Sequence, residues 1–281
     1  MARAQIEFFQ SQALAWRTLP DAAARPGAGC KVLSRDGETG AVSVILRYPA
    51  GWQIADAHAL DTDEEFFVLD GELIIGETAY GKHDYAYLPA GWPRNGMHAP
   101  AGADVLTFFP GAHKNVFGQD QDFDAGLLIE RTPSAEMPWG GDVDPNVVGA
   151  GLGKKILRLD PATGERTWLL TMGANDPAVV HETHLETHPH VEEMLLLDGA
   201  ISMPMGVLRQ GAYFWRPGGI QHGPVGTLPG CTCFFRCMGG PFSTDWSEEA
   251  HEIEWDAPYN PVLPADVAAT VAADWPASEA Y

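Results

Sequence analysis

The chain of 281 residues contains an internal repeat. Residues 64–91 (EEFFVLDGELIIGETAYGKHDYAYLPAG) align without a gap to residues 192–219 (EEMLLLDGAISMPMGVLRQGAYFWRPGG), at an offset of 128 positions. A second match lies upstream, where the pattern K-x-L-x-x-D-x-x-T-G begins at Lys31 and again at Lys155. Solenoid units are far shorter than this period, so the repeat predicts two copies of one domain. The copies can therefore be compared position by position.

Length and composition limit what such a chain can be. The length suits two domains, each able to bury a core. Hydrophobic residues make up 45% and charged residues 20%, which is typical of globular proteins. No apolar run is long enough for a membrane span, and the N-terminus lacks a signal-peptide pattern, so we expect a cytoplasmic protein that does not bind membranes. The formal net charge of −21 would repel phosphate backbones and excludes nucleic acid as the expected partner.

Short apolar runs separated by turn residues indicate an all-β chain. Examples are VSVILRY, DVLTFFP, TWLLTM and CTCFFRC, and the turn residues include 31 glycines and 22 prolines. Many short strands at regular spacing favour antiparallel sandwiches or closed barrels. Helical periodicity is weak, and only the stretch PADVAATVAADW near the C-terminus predicts a helix, beginning near Pro264 or Asp266.

The same pattern predicts the domain boundaries. We expect a first domain over residues 25–131, a Pro- and Gly-rich linker over 132–151 and a second domain over 152–245. Aromatic residues in the final segment, 246–281, predict that it packs on the barrels. The four cysteines contain no CxxC pair, which argues against a structural zinc site and favours free thiols in the core.

The second copy holds a cluster of histidines and carboxylates. Residues 181–199 read HETHLETHPHVEEMLLLDG. Alternation along a strand would place His184, Glu186 and His188 on one face. Pro189 then ends regular pairing, and Glu192 opens the next strand. About twenty residues later comes the pattern G-x5-P-x-G-x2-H, which ends at His222.

These two patterns resemble the two motifs of the cupin superfamily. In the first motif, His188, Glu192 and Gly199 match the second histidine, the glutamate and the glycine. The second motif is matched without gaps by Gly211, Pro217, Gly219 and His222. Two departures are Glu186, in place of the first histidine, and Gly226, in place of a terminal asparagine. The sequence around HPHVEE and LLLDG resembles ChrR-type and acetylacetone-dioxygenase-like cupins.

The resemblance implies an all-β fold of two tandem cupin domains, each a jelly-roll β-barrel, with few short helices. It also implies a divalent metal ion, with Fe(II) favoured and Zn, Ni or Mn as alternatives; imidazole and carboxylate ligands suit all four metals. We expect His188, Glu192 and His222 as ligands and Glu186 as the fourth.

Several other residues of the second copy are candidates for the same site. His184 could ligate instead of Glu186 or orient a ligand. His190 lies beyond Pro189 and could be solvated in the turn. Inward aromatic side chains, Tyr213 and Trp215, could line a substrate pocket or simply fill the core.

The first copy lacks most of the expected ligands. At the offset of 128, Leu60 stands for His188 and Arg94 for His222, while Glu64 is retained. Leucine cannot ligate a metal ion and arginine would repel one, so we expect no equivalent site. One alternative is a shifted site formed by His58, Glu64 and His98. The other is a buried ion pair between Glu64 and Arg94, because an inward carboxylate needs a partner.

Three classes of function remain open from the sequence. The first is a metal-dependent oxygenase; the resemblance implies a non-haem iron dioxygenase that cleaves a C–C bond in a small diketone, hydroxyketone or aromatic substrate. The second is a non-redox isomerase, lyase or hydrolase that uses zinc, nickel or manganese. The third is a non-catalytic cupin that binds a small molecule. Pairing of barrel faces, implied by the resemblance, predicts a homodimer or contact between the halves.

Overall fold

The computed structural model describes residues 3–18, 24–118, 121–140, 151–274 and 279–281. The chain divides into two compact units. Unit 1 comprises Met1–Arg3 and Ala15–Met137, and unit 2 comprises Ala4–Leu14 and Pro138–Tyr281. Within the described residues almost all regular structure is β, which confirms the predicted fold class. No helix among these residues is long and apolar enough to cross a membrane.

The strands number 21 over the described parts of the chain. In chain order they are β1 (Ile6–Gln10), β2 (Arg17–Thr18), β3 (Gly29–Arg35), β4 (Val42–Tyr48), β5 (Trp52–Leu60), β6 (Glu64–Gly71), β7 (Leu73–Ile75), β8 (Thr78–Tyr80), β9 (Asp84–Leu88), β10 (Arg94–Ala99), β11 (Ala103–Phe109), β12 (Asn115–Phe117), β13 (Ile129–Pro133), β14 (Gly153–Leu159), β15 (Arg166–Met172), β16 (Glu182–Thr187), β17 (Val191–Met203), β18 (Gly206–Arg209), β19 (Ala212–Arg216), β20 (Cys231–Met238) and β21 (Asp245–Glu252). Two short 3-10 helices cover Ser11–Ala13 and Ser134–Glu136, and one α-helix, α1, covers Ala265–Ala268.

Unit 1 consists of two antiparallel sheets. One has the order β13-β9-β6-β11-β4-β3-β2, and the other has the order β12-β5-β10-β7-β8. Its apolar core combines side chains from both sheets, such as Val44 and Val105 of the first with Ile54 and Met97 of the second. Burying these side chains between the sheets is the main stabilising contribution.

Unit 2 has a larger sheet with the order β1-β19-β17-β20-β15-β14, and β18 pairs with β17. Strands β16 and β21 form a second sheet. Two isolated bridges, Glu186 to His222 and Ser202 to Gly226, attach the loop after β19 to strands β16 and β17. The loop that carries the second cupin-like motif is therefore held by backbone hydrogen bonds on two sides.

Strand pairing repeats between the units in register. In unit 1, Glu64 lies opposite Leu88 and Phe67 lies opposite Tyr85. In unit 2, the residues 128 positions later pair in the same way, Glu192 with Arg216 and Leu195 with Tyr213. The internal repeat therefore records a duplicated hairpin and not only a similar composition.

The edge strand differs in origin between the two units. In unit 1, β13 pairs with β9, so the predicted boundary at residue 131 falls inside a strand of that unit. In unit 2, the equivalent place beside β19 is taken by β1, from the start of the chain. An edge strand needs a cover for its unpaired backbone groups, and here a distant segment provides it.

The C-terminal segment is less helical than the sequence pattern predicts. Helix α1 spans only Ala265–Ala268, and Val271 instead forms a β-bridge with Leu14. Trp275, the last residue of the predicted helix, lies outside the described residues. A tertiary contact therefore overrides the weak local helical preference. The four cysteines are free and buried, as predicted.

Gly199 provides a test of the duplicated hairpin. It has a φ of +81°, and a Cβ added there would lie 2.0 Å from the carbonyl oxygen of Gly230. We expect Gly199→Ala to lower the free energy of unfolding by about 2–4 kcal/mol, from left-handed strain plus overpacking. Gly219 is the matched control, because it has a φ of +82° and open space around the added Cβ. Gly219→Ala should cost only the strain, about 1 kcal/mol, in urea unfolding. Equal losses in the two variants would contradict this account.

Candidate metal centre

Three potential ligands converge in unit 2. Glu186, His188 and His222 each offer one ligand atom, and these atoms lie within 4.8 Å of one another. Glu192 lies beside them, with its Oε1 3.5 Å from His188 Nε2 and its Oε2 3.8 Å from His222 Nε2. The four residues predicted from the sequence thus lie around one point.

Backbone pairing explains why these side chains meet. Glu186 and His222 exchange two backbone hydrogen bonds, of 2.8 and 2.9 Å, although they are far apart in sequence. The Gly219 amide donates to the carbonyl oxygen of His188, at 2.7 Å, which holds the second motif against the first. Glu192 belongs to the next strand, β17, four residues after His188.

Hydrogen bonds orient both imidazole rings. His188 Nδ1 lies 2.9 Å from the Ser243 carbonyl oxygen, and His222 Nδ1 lies 3.1 Å from the Ile220 carbonyl oxygen. A carbonyl oxygen only accepts, so Nδ1 carries a proton in each ring, and Nε2 is the nitrogen that a neutral imidazole would offer to a metal ion. His188 Nε2 is buried and has no hydrogen-bond partner among the described residues. Buried polar atoms are normally satisfied, and a metal ion would supply the missing partner.

Electrostatics favour the metal-binding form of these groups. Burial, followed by the nearby Arg216 guanidinium, lowers the pKa of His222 to about 3, so its ring is neutral at physiological pH. Burial alone would raise the pKa of Glu192, but positive charge around it, including the Arg216 guanidinium, outweighs burial and lowers that pKa. A neutral imidazole and an ionised carboxylate are the forms that ligate.

Two charged residues beside the site were not predicted from the sequence. Arg216 is 2% exposed, donates from Nη1 to Glu192 and forms a second ion pair with Glu7 of strand β1. The sequence contained a sign that each is buried, because each is a charged residue within or at the end of an apolar run, Glu7 in IEFF and Arg216 in AYFWR. Their pairing across 209 positions was not visible.

An apolar cavity of about 90 Å³ opens onto these ligands. Glu186, Glu192, Arg216 and His222 line one part of it. Its apolar lining consists of Trp168, Leu170, Met172, Ile201, Met203, Phe214, Val225, Phe235 and Phe242. Apolar walls with a few converging polar groups are typical of small-molecule sites.

The two aromatic candidates for the pocket face away from it. On β19 the cavity-lining residues are Phe214 and Arg216, so strand alternation places Tyr213 and Trp215 on the opposite face. Tyr213 donates its hydroxyl hydrogen bond to Glu193, at 2.5 Å. Of the two alternatives for Tyr213 and Trp215, core filling agrees with this arrangement, because neither side chain lines the cavity.

His184 does not join the ligand group. A register shift between His184 and Glu186, opposite β21, breaks the alternation that the sequence suggested. Consequently Thr183, rather than His184, lines the cavity together with Glu186. His184 Nδ1 lies 2.7 Å from the Ser247 carbonyl oxygen. His190 is half-buried in the turn after Pro189.

Unit 1 contains a buried ion-pair cluster at the equivalent position. Glu64 pairs with Arg94, at 2.9 Å, and also with Arg25, and all three side chains are buried. This confirms the ion-pair interpretation, although Arg25 was not foreseen. His58 Nδ1 lies 3.0 Å from the Asp56 carbonyl oxygen.

The shifted metal site considered for unit 1 does not form. A register shift next to Gly96 separates the faces of Arg94 and His98, and His98 is only half-buried. Over the described residues, the group Glu186, His188 and His222 is the one set of ligating side chains within mutual reach, and it lies in unit 2. The two positive charges beside Glu64 would also repel a cation.

Comparison with known proteins identifies the family. The sequence profile of the ChrR cupin-like domain matches residues 4–111 and 134–239. The chain therefore belongs to the ChrR cupin-like family and contains two copies of its domain. No protein with a curated description matches the chain.

Solved structures show the same fold at low sequence identity. A candidate dioxygenase from Nostoc punctiforme superposes with a TM-score of 0.76 and 20% identity, over 88% of this chain and 92% of that one. An oxalate decarboxylase variant from Bacillus subtilis has a TM-score of 0.55 and 14% identity, over 85% and 79%. The hazelnut (Corylus avellana) vicilin has a TM-score of 0.53 and 11% identity, over 85% and 87%.

The Glu64 cluster gives a prediction for stability. Glu64→Gln would leave Arg25 and Arg94 buried without a counter-charge, so we expect the free energy of unfolding to fall by about 3–5 kcal/mol. The control is Asp70→Asn, because Asp70 pairs with Lys82 at 3.7 Å on the exposed surface. That variant should show little change. Similar losses in both variants would contradict a special role for the buried cluster.

The buried Glu64 cluster also predicts that stability depends on pH. Burial would raise the pKa of Glu64, but Arg25 and Arg94 outweigh it and hold that pKa below its usual value of 4.5. The stabilisation is therefore complete above the unfolded pKa and is lost as pH falls through the folded pKa. In urea unfolding, the stability difference between wild type and Glu64→Gln should be largest near pH 7 and shrink below about pH 4. A pH-independent difference would contradict the lowered pKa.

Proposed function

We propose that unit 2 binds one divalent metal ion through Glu186, His188, Glu192 and His222. The observation that carries this proposal is the buried, unpartnered Nε2 of His188, which faces two carboxylates at 3.5 and 3.7 Å. The charge of the cluster also supports metal binding. Glu7, Glu186 and Glu192 together with Arg216 carry a formal charge of −2, which one divalent cation would neutralise.

We propose Fe(II) as the resident metal. Two neutral imidazoles and carboxylate oxygens suit iron, manganese, nickel and zinc, and two histidines with one carboxylate and open positions are typical of non-haem iron oxygenases. Three or four protein ligands leave room for further ligands on a six-coordinate ion. The cavity lined by Glu186, Glu192 and His222 would give such ligands access to the metal ion.

We propose that the protein is a dioxygenase that cleaves a C–C bond in a small diketone, hydroxyketone or aromatic substrate. When bound, the metal would hold a chelating substrate and dioxygen side by side. The apolar cavity walls, including Trp168 and Phe235, would exclude water and bind the carbon skeleton. Arg216 at the cavity wall would stabilise negative charge on the substrate oxygens.

Fold alone does not select this chemistry, because similar folds occur in an oxalate decarboxylase and in vicilin. Support comes from the ligand geometry, the apolar cavity and the likeness to a candidate dioxygenase. A non-redox metal enzyme and a small-molecule-binding cupin are the competing outcomes of the activity experiment below.

Metal content tests the ligand assignment. After anaerobic purification, wild-type protein should hold about one metal ion per chain. His188→Ala, His222→Ala and Glu186→Ala should each retain less metal, because each change should weaken metal affinity at least tenfold, roughly the loss known for residues that orient metal ligands. His184→Ala and His251→Ala are matched controls, because His184 lies outside the ligand group and His251 is exposed on β21. Equal metal content in all six proteins would contradict the assignment.

Oxygen consumption tests the reaction. The Fe(II)-loaded protein should consume O₂ with members of a panel of β-diketones and hydroxyketones, and product analysis should show C–C cleavage. Phe235→Asp should raise KM more than it lowers kcat, because a charge in the cavity wall opposes binding of an apolar substrate. Stoichiometric zinc with no O₂ uptake would favour a non-redox enzyme instead. Ligand binding without turnover would favour a binding protein.

A further inference from the structure

Strand β1 places a carboxylate inside unit 2. Glu7 is 1% exposed, and its neighbours Ile6, Phe8 and Phe9 are buried as well. A buried carboxylate in an apolar strand requires a cationic partner. Glu7 meets this need through Arg216, because Nε donates to Glu7 Oε1 and Nη2 donates to Glu7 Oε2 at 2.8 Å. The pair is bidentate, which fixes the plane of the guanidinium.

The same guanidinium also reaches the candidate metal site. Arg216 Nη1 donates to Glu192 Oε2, while Glu192 Oε1 faces His188 Nε2 at 3.5 Å. Without Glu7, Arg216 would bring an unbalanced positive charge next to a cation site. The Nε and Nη2 groups of Arg216 would also be free to rotate toward Glu192 and to donate hydrogen bonds to both of its carboxylate oxygens.

Unit 1 shows the outcome when both oxygens are engaged. The equivalent carboxylate, Glu64, accepts a hydrogen bond from Arg25 at Oε1 and one from Arg94 at Oε2. No group of metal-ligating side chains forms around Glu64 within the described part of unit 1. The two units therefore differ in how many arginine contacts the inward carboxylate makes, and in whether an additional carboxylate balances the arginine.

We propose that Glu7 is a positioning residue for the metal centre. It holds the Nε and Nη2 edge of Arg216, so that Arg216 makes a single hydrogen bond to Glu192 and leaves the other carboxylate oxygen for the metal ion. Glu7 also keeps the net charge of the cluster at the value that a divalent cation neutralises. This inference rests on the proposed metal-binding function.

The direct test is the Mn²⁺ affinity of Glu7→Gln. It is measured by titrating the metal-free protein with Mn²⁺ and recording the EPR signal of the free ion. We expect Mn²⁺ to bind about 10- to 100-fold more weakly than in wild type, as for other residues that orient ligands. Glu193→Gln is the matched control. Glu193 is also buried and pairs with Arg236 at 2.8 Å. It follows Glu192 on β17, so its side chain lies on the opposite face of that strand from the candidate ligand. Glu193→Gln should bind Mn²⁺ within about twofold of wild type, the scatter expected for a site that touches no ligand.

A double variant separates positioning from general stability. In Glu7→Gln/Arg216→Met the formal charge of the cluster returns to −2, and Glu192 is released from the guanidinium. Mn²⁺ affinity should therefore recover most of the loss seen in Glu7→Gln. A structural role alone predicts the reverse, because removing both partners deletes more packing and hydrogen bonding than removing one.

The outcomes for Glu7 and for the metal site can be told apart. Wild-type Mn²⁺ affinity in Glu7→Gln, with affinity lost in His222→Ala, would overturn the role of Glu7 and leave the metal site intact. Equal Mn²⁺ binding by wild type and His222→Ala would refute the metal site itself. If Glu7→Gln does not fold, Glu7→Asp keeps the charge with a shorter reach. Weaker Mn²⁺ binding by folded Glu7→Asp supports the proposal, and wild-type binding overturns it.

Discussion

The structure depends on one buried carboxylate at the start of the duplicated strand, Glu64 in unit 1 and Glu192 in unit 2. Because this group lies inside each unit, it needs positive charge around it. Unit 1 supplies that charge with Arg25 and Arg94, which engage both oxygens. Unit 2 supplies one arginine, Arg216, and two histidines. Glu7 and Glu186 also lie in this cluster, so its formal charge is −2, which is the charge that a divalent ion would balance.

The same contrast explains why the units are not interchangeable. Arg94 occupies the position of His222 in the repeat, and a guanidinium there would both repel a cation and compete for the carboxylate. Each unit also closes its larger sheet differently. In unit 2 the edge strand is β1, and this strand brings Glu7 to Arg216. In unit 1 the edge strand is β13. The edge that protects the sheet of unit 2 thus also contributes to the charge balance of its site.

The sequence predicted those features of the site that follow from local spacing. Glu186, His188, Glu192 and His222 were recognisable because they occupy motif positions, and the structure brings them together. The errors arose where a single residue changed the face of a strand. A bulge removed His184 from the ligand side, and the alternation of β19 turned Tyr213 away from the cavity. Strand phase cannot be read from an apolar run in which both faces are buried.

Taken by itself, the sequence determined the duplication, the all-β fold and the unit that holds the candidate ligands. These properties are encoded in periodicity, in motif spacing and in the absence of ligating side chains at Leu60 and Arg94. Only the tertiary structure decided which charges surround the inward carboxylates. Arg25 reaches Glu64 from 39 positions away, and Glu7 reaches Arg216 from 209 positions away. Such partners are chosen by how strands pack around a buried charge, and local sequence carries no record of that packing.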